Sequence, residues 1–100
     1  MLNNILVCDD DTAIVDSIEI YLQQEGYHVI KAYDGVQALE VLHKEEIQLV
    51  IIDVMMPRLD GISVLERLRE KPPAKMPNII IASAIGLENV TRRALELGAC

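Results

Sequence analysis

The sequence predicts an α/β fold in which a parallel sheet carries helices on both faces. The apolar pattern alternates between short β-rich runs and segments of helical period. Strands that follow one another with a helix between them pair in parallel through right-handed crossovers. The chain has 100 residues, which suits a single domain with one modest core.

Four runs predict the strands: "ILVC" at 5–8, "YHVIKA" at 27–32, "LVII" at 49–52 and "NIIIA" at 78–82. The third and fourth runs are continuously apolar, which is typical of strands covered on both faces. The second run alternates between apolar and polar residues and is typical of an edge strand. We therefore expect strands one, three and four to form the interior of the sheet.

Four segments of helical period lie between and after these strands. Their apolar positions are Ile14, Ile18, Tyr21 and Leu22 in the first helix, Ala38, Leu39 and Leu42 in the second, Ile62, Leu65 and Leu68 in the third, and Leu87, Val90, Ala94 and Leu97 in the fourth. Asp34 is a candidate N-cap for the second helix. Gly26, the pair Pro72 and Pro73, and Gly98 mark the ends of the first, third and fourth helices.

The charge balance excludes several classes of function. The formal net charge is −7 and the isoelectric point is about 4.6, so no basic surface is expected for nucleic acid or anionic lipid. No apolar run approaches the roughly 20 residues that cross a bilayer, and the N-terminus does not have the pattern of a signal peptide. Cys8 and Cys100 form neither a disulfide framework nor a zinc motif. We expect a soluble cytoplasmic protein.

Polar residues follow three of the predicted strands. Asp9, Asp10 and Asp11 follow the first strand, Asp53 the third and Ser83 the fourth. Ligands of open parallel sheets bind at the carboxyl ends of the strands, so these residues should share one pocket. Two carboxylates about 4 Å apart repel by about 4 kcal/mol at an effective dielectric of about 20, so the cluster must hold protons or a cation. Mg²⁺ suits such a pocket, and a nearby hydroxyl suggests phosphoryl chemistry.

A purely structural interpretation explains part of this pattern. An aspartate after a strand is often a helix N-cap, and Asp11 or its neighbour Thr12 fits that role. Asp53 is harder to explain in this way, because "DVMMPRLDG" places a charge at the end of an apolar strand and continues through a proline to an Asp-Gly turn. Capping therefore does not account for both acidic sites.

Three segments resemble the receiver domains of two-component response regulators: "DDD" after the first strand, "DVMMPRLDG", and "ASA" after the fourth strand. The resemblance covers residues 1–100 as one domain. Residues 57–99 further resemble sporulation-initiation regulators, and residues 4–56 resemble winged-helix transcription regulators. The resemblance implies a flavodoxin-like three-layer sandwich with parallel strand order 2-1-3-4.

The resemblance also implies a site and its partners. Asp53 would be the phosphoacceptor. Its phosphoryl group would come from a histidine kinase, a phosphotransfer protein or a small donor such as acetyl phosphate. Asp10 would bind Mg²⁺ directly, Asp9 directly or through water, and Asp53 and the backbone carbonyl of Met55 would complete the protein ligands. Ser83 would be the switch hydroxyl. The domain would act as a signalling switch that assists only its own phosphorylation and dephosphorylation, and it would not bind nucleic acid or membrane directly.

The family pattern continues beyond this sequence. A fifth strand with an aromatic residue and then a lysine should follow "LGA", whereas the sequence ends at Cys100. We therefore expect a domain that lacks the fifth strand and the helix after it. Strand four would then form an uncovered edge that contains "III", and such edges recruit other chains. Self-association through this edge is the resulting expectation.

Three other functions fit parts of the pattern. The haloacid-dehalogenase phosphatase motif DxDx[TV] is met by "DDDTA" except at Ala13, and that interpretation leaves "DVMMPRLDG" unexplained. A flavodoxin-like electron carrier would share the sheet, but the chain has no Trp or Phe to stack on a flavin and no phosphate loop for it. An interaction module that keeps the receiver fold without phosphorylation is the main alternative.

Overall fold

The computed structural model describes residues 3–54, 56 and 58–81. The described elements are β1 (Asn4–Cys8), α1 (Thr12–Gln24), β2 (His28–Ala32), α2 (Gly35–Lys44), β3 (Leu49–Ile52), α3 (Gly61–Glu70) and β4 (Asn78–Ile81). The predicted fourth helix lies outside the described residues. Within the described ranges, every helix is too short or too polar to cross a lipid bilayer.

The four described strands form one parallel sheet in the order β2-β1-β3-β4. This order confirms the strand order that the resemblance implies, and it places β3 between β1 and β4. Between β2 and β3 the chain crosses over β1, so α1 packs on one face of the sheet and α2 and α3 pack on the other. The carboxyl ends of β1 and β3 therefore lie side by side at one edge.

Two apolar clusters lie on opposite faces of this sheet. The larger one fills the space between the sheet and helices α2 and α3, and its fully buried side chains include Leu6, Val50, Ile52, Leu65 and Ile79. The smaller one lies under α1 and contains Ile5, Val7, Val15 and Val29. The burial of β1 on both faces places its last residues at a rigid position.

The buried face of α1 differs from the prediction. Val15 is fully buried, and Ile18 and Leu22 pack beside it at spacings of three and four residues. Ile14 and Tyr21, which we predicted to be apolar contacts, are 45% and 64% exposed. The buried stripe at 15, 18 and 22 is therefore rotated about the helix axis from the predicted one. Ile14 and Tyr21 lie outside the contact between α1 and the sheet.

The fourth strand also departs from its expected burial. Ile79 is buried against the α2 and α3 side, whereas Ile80 is 43% exposed. Ile80 pairs in register with Ile51 on the face that carries α1. Helix α1 packs mainly over β1 and β2, and Ile80 stays partly uncovered on that face. Burial of this strand on both faces was therefore a wrong prediction for Ile80, and β4 borders only β3 within the described part of the chain.

Candidate metal centre

The ends of β1 and β3 bring three carboxylates together. The backbone N–H of Asp53 donates to the Cys8 carbonyl over 2.9 Å, and that of Asp9 donates to the Ala32 carbonyl over 3.2 Å. These bonds extend the sheet ladder into the loops, so the backbone of both aspartates is held by the sheet. One oxygen from each of Asp9, Asp10 and Asp53 lies within 4.8 Å of the others. We call these three residues the acidic cluster.

Burial and charge act together on Asp9. Its side chain is buried, and this burial is the main cause that raises the pKa of its carboxyl group above the ordinary value. The N–H of Asp11 donates to Asp9 Oδ1 over 3.0 Å and lowers the pKa in part. The negative charges of Asp53 and Asp10 raise it again. The ionised cluster therefore costs free energy when no cation is present.

The donor set of the acidic cluster fits a hard divalent cation. All three side chains offer carboxylate oxygens, the ligands that Mg²⁺ prefers. Asp9 is buried, Asp53 is half-buried and Asp10 is exposed, so the cluster is open to solvent on one side. An ion held there would keep water molecules and leave coordination positions for phosphate oxygens.

Cys8 lies next to the acidic cluster but is not suited to join it. Its side chain is buried, and this burial, with a contribution from the charge of Asp9, strongly raises the pKa of its thiol. A thiol that stays protonated is a poor metal ligand and a poor nucleophile. In this environment we expect Cys8 to be chemically inert.

Asp11 has a different role from its two neighbours. Its Oδ1 accepts from the backbone N–H groups of Ala13 and Ile14 over 3.0 and 3.3 Å, so Asp11 is the N-cap of α1. This confirms the capping interpretation for one of the three consecutive aspartates. The cap fixes where α1 begins and leaves Asp9 and Asp10 at the cluster.

The start of α3 packs directly on the end of β3. The N–H of Gly61 donates to the Val54 carbonyl over 3.0 Å. A Cβ at Gly61 would lie 2.5 Å from the Asp53 carbonyl oxygen, so only glycine permits this approach. Asp60 caps the helix by accepting from the Ser63 N–H over 2.8 Å. The Asp-Gly turn thus holds α3 against the backbone of Asp53.

One pair near the site was missed by sequence reasoning. Asp34 was predicted only as an N-cap, and its Oδ1 does accept from the Gln37 N–H over 2.8 Å. Its second oxygen also accepts from Arg58 Nη1 over 3.0 Å. The Asp-Gly pair that opens α2, like the one that opens α3, indicates the cap but not the arginine partner. The ion pair joins two loops on the carboxyl side of the sheet.

The structure brings together three of the predicted site residues. Asp9, Asp10 and Asp53 share the acidic cluster. Met55 and Ser83 lie outside the described residues, so their predicted roles stay predictions.

The order of the strands and the acidic cluster at their carboxyl edge define a class of protein: doubly wound α/β domains with a cluster of carboxylates at the ends of neighbouring parallel strands. Residues 5–100 match the family described as the response regulator receiver domain. The chain belongs to this family, which places it in two-component signalling.

Individual relatives agree with this assignment. The chain is 38% identical to response regulator GtcR of Aneurinibacillus migulanus over 99% of its own length, and 40% identical to response regulator RR06 of Streptococcus pneumoniae over 94%. It spans only 40% and 42% of those two proteins. A solved CheY-like receiver domain from Methanospirillum hungatei is 30% identical, with a TM-score of 0.90 over 99% of this chain and 78% of that one.

Proposed function

We propose that this domain is a phosphorylatable switch that accepts a phosphoryl group on Asp53, with Mg²⁺ held by Asp9, Asp10 and Asp53. The observation that carries the proposal is the acidic cluster, in which carboxylates from two adjacent strands approach within 4.8 Å. Such a cluster is most favourable when a cation neutralises it. Membership of the receiver family supports the assignment of Asp53, which directly follows β3.

The transfer needs little covalent chemistry from the protein. A carboxylate oxygen of Asp53 attacks phosphorus and forms an acyl phosphate, while the N–P bond of a donor phosphohistidine breaks and its electron pair stays on the imidazole nitrogen, which takes up a proton. Bound Mg²⁺ would neutralise charge on the phosphoryl oxygens. Asp9 and Asp10 hold their carboxylates toward Asp53, and the half-buried position of Asp53 leaves one side open to a donor.

The partner in this proposal is a histidine kinase or a phosphotransfer protein in the cytoplasm. Ser83 would sense the new charge and Met55 would supply a backbone carbonyl to the ion. A response to phosphorylation requires a contact that exists only in the phosphorylated state, and a hydroxyl that bonds the phosphoryl group is such a contact. The domain extends over residues 1–100 and acts on its own aspartate rather than turning over a substrate.

Mass spectrometry of the intact protein tests the acceptor. After incubation with acetyl phosphate and Mg²⁺, we expect an adduct of about 80 Da, the mass of one phosphoryl group. The adduct should be absent from Asp53→Asn and should be strongly reduced when EDTA replaces Mg²⁺. Asp60→Asn is the matched control, because Asp60 is exposed, lies in the same loop and needs only an oxygen acceptor for its cap.

The same measurement distinguishes the phosphorylated switch from the main alternative. An interaction module that keeps the fold without phosphorylation would show no adduct under any of these conditions. An adduct of equal yield in Asp53→Asn would mean that a different residue is the acceptor.

A further inference from the structure

Arg58 has an unusual backbone conformation for its residue type. Its φ is +65°, and it is the only non-glycine residue with a positive φ in the described part of the chain. This left-handed region costs most L-amino acids about 1–2 kcal/mol. A side chain other than glycine is kept in it when the surroundings hold it there. Arg58 lies between Asp53 and α3, in the connection that follows the acidic cluster.

The Arg58 side chain is tied to a buried carboxylate. Asp34 is 6% exposed, and its Oδ2 accepts from Arg58 Nη1 over 3.0 Å. Its Oδ1 caps α2 through the Gln37 N–H, so the carboxylate is fixed on its other side. An ion pair with one fixed and buried partner is stronger than a pair on a fully solvated surface, because less side-chain freedom is lost and screening is weaker.

The backbone supports the same contact. Gly35 follows Asp34, and a Cβ at this position would overlap the carbonyl oxygen of Leu59. The first turn of α2 therefore packs directly on the residue that follows Arg58. The turn at 58–59 is held by backbone packing against Gly35 and by the side-chain bond to Asp34.

We propose that Asp34 and Arg58 form a latch that fixes the β3–α3 connection and thereby positions the acidic cluster. Arg58 is a positioning residue in this proposal, acting on Asp53 through the connection and through the Gly61 bond to Val54. The latch also joins the start of α2 to the loop after Asp53. The consequence for Mg²⁺ binding rests on the proposed function, whereas the consequence for the loop does not.

Two readouts test the latch in the full chain: amide hydrogen exchange at Gly61 and Mg²⁺ affinity by calorimetry. Arg58→Asn removes the guanidinium but keeps a residue that tolerates the left-handed region. We expect exchange at Gly61 to become about tenfold faster and the Mg²⁺ Kd to rise about threefold to tenfold, the size of one charge-assisted bond to a buried group. Exchange in the central strands should stay unchanged.

Asp34→Asn keeps an oxygen for the α2 cap and removes the charge. We expect it to act like Arg58→Asn, and we expect the double variant to add little, because each change breaks the same bond. Arg58→Lys should restore part of both effects. The matched control is Lys75→Asn, which breaks an ion pair of similar length, 3.1 Å to Glu46, whose two side chains are both exposed.

The outcomes are distinguishable. Gly61 exchange in Arg58→Asn equal to that in Lys75→Asn would overturn the latch. Faster exchange with unchanged Mg²⁺ affinity in all variants would overturn its positioning role. If the unsubstituted chain does not bind Mg²⁺, the proposed function fails, and the exchange rates alone decide whether the latch holds the connection.

Discussion

Asp9 is the carboxylate in the acidic cluster on which burial and neighbouring charge act in the same direction. Both raise its pKa in the folded state above the value in the unfolded chain. The folded state therefore holds the Asp9 proton more tightly than the unfolded state does. As pH rises from the unfolded pKa through the folded one, the metal-free protein loses stability, and the full penalty is present above both values.

Asp9→Asn should therefore stabilise the metal-free protein at pH 7. The amide keeps an oxygen acceptor for the Asp11 N–H and removes the buried charge. The advantage should vanish below the ordinary pKa of about 3.8, where Asp9 is protonated in both states. Urea unfolding in EDTA across this pH range measures the effect.

The control for this pH series is Glu40→Gln, which removes an exposed charge from α2 and should change the profile little. Excess Mg²⁺ should reverse the order, stabilising the unsubstituted protein more than Asp9→Asn, since only the folded state binds the ion. Lower stability of Asp9→Asn at pH 7 in EDTA would contradict the electrostatic argument.

The candidate site could be predicted in part from the sequence at this scale. Asp9, Asp10 and Asp53 follow apolar strands, and the carboxyl ends of parallel strands meet at one edge, so their convergence follows from the pattern. The bond between Asp34 and Arg58 could not be predicted in that way. It spans 24 residues and depends on one left-handed backbone angle, which no apolar period encodes.

At the scale of elements, α3 packs on the end of β3 through Gly61. The N–H of Gly61 bonds the Val54 carbonyl, and the space for a Cβ is taken by the Asp53 carbonyl oxygen at 2.5 Å. Backbone cannot yield as a flexible side chain does. A larger residue there must move either the start of α3 or the end of β3.

Gly61→Ala should destabilise the fold by about 1–3 kcal/mol, the usual cost of forcing an extra group into a packed region. It should also weaken Mg²⁺ binding, because the displaced backbone carries Asp53. Urea unfolding and calorimetry measure the two effects.

Gly26→Ala is the control for Gly61→Ala, because it restricts the backbone without displacing packed atoms. Gly26 has a φ of +91°, and no atom lies within 4 Å of the place that a Cβ would take, so its substitution costs only conformational strain, about 1–2 kcal/mol. It should leave Mg²⁺ affinity unchanged. Equal loss of affinity in both variants would show that the effect of Gly61→Ala is global rather than local.

Element type and order were accessible to sequence reasoning, whereas helix phase was less so. All seven described elements were predicted, because their periods differ clearly. The buried stripe of α1 was misplaced, since Ile14, Val15 and Ile18 are all apolar and several faces of the helix are similarly apolar. The sheet beneath the helix selects Val15, which is fully buried.

At the scale of the whole molecule, coverage of the sheet is uneven. Helix α1 contacts β1 and β2, and helices α2 and α3 pack on the opposite face. Ile80 of β4 stays 43% exposed on the α1 side, and β4 has β3 as its one strand neighbour within the described residues. Within the described residues, an apolar side chain thus lies beside a strand edge that pairs with no further strand, and such an arrangement favours contact with another protein surface.

We predict concentration-dependent self-association through the β4 edge, measured by sedimentation velocity. Ile80→Lys should weaken it about tenfold, since burial of a large part of one isoleucine side chain contributes about 1.5 kcal/mol and a charge at the edge opposes pairing. Ile20→Lys is the matched control, because Ile20 is 59% exposed but lies on α1. Equal weakening by both substitutions would indicate general apolar association instead of pairing at this edge. A compact monomer at every concentration would refute self-association, and the exposure of Ile80 would then be compatible with a surface that does not bind a second copy.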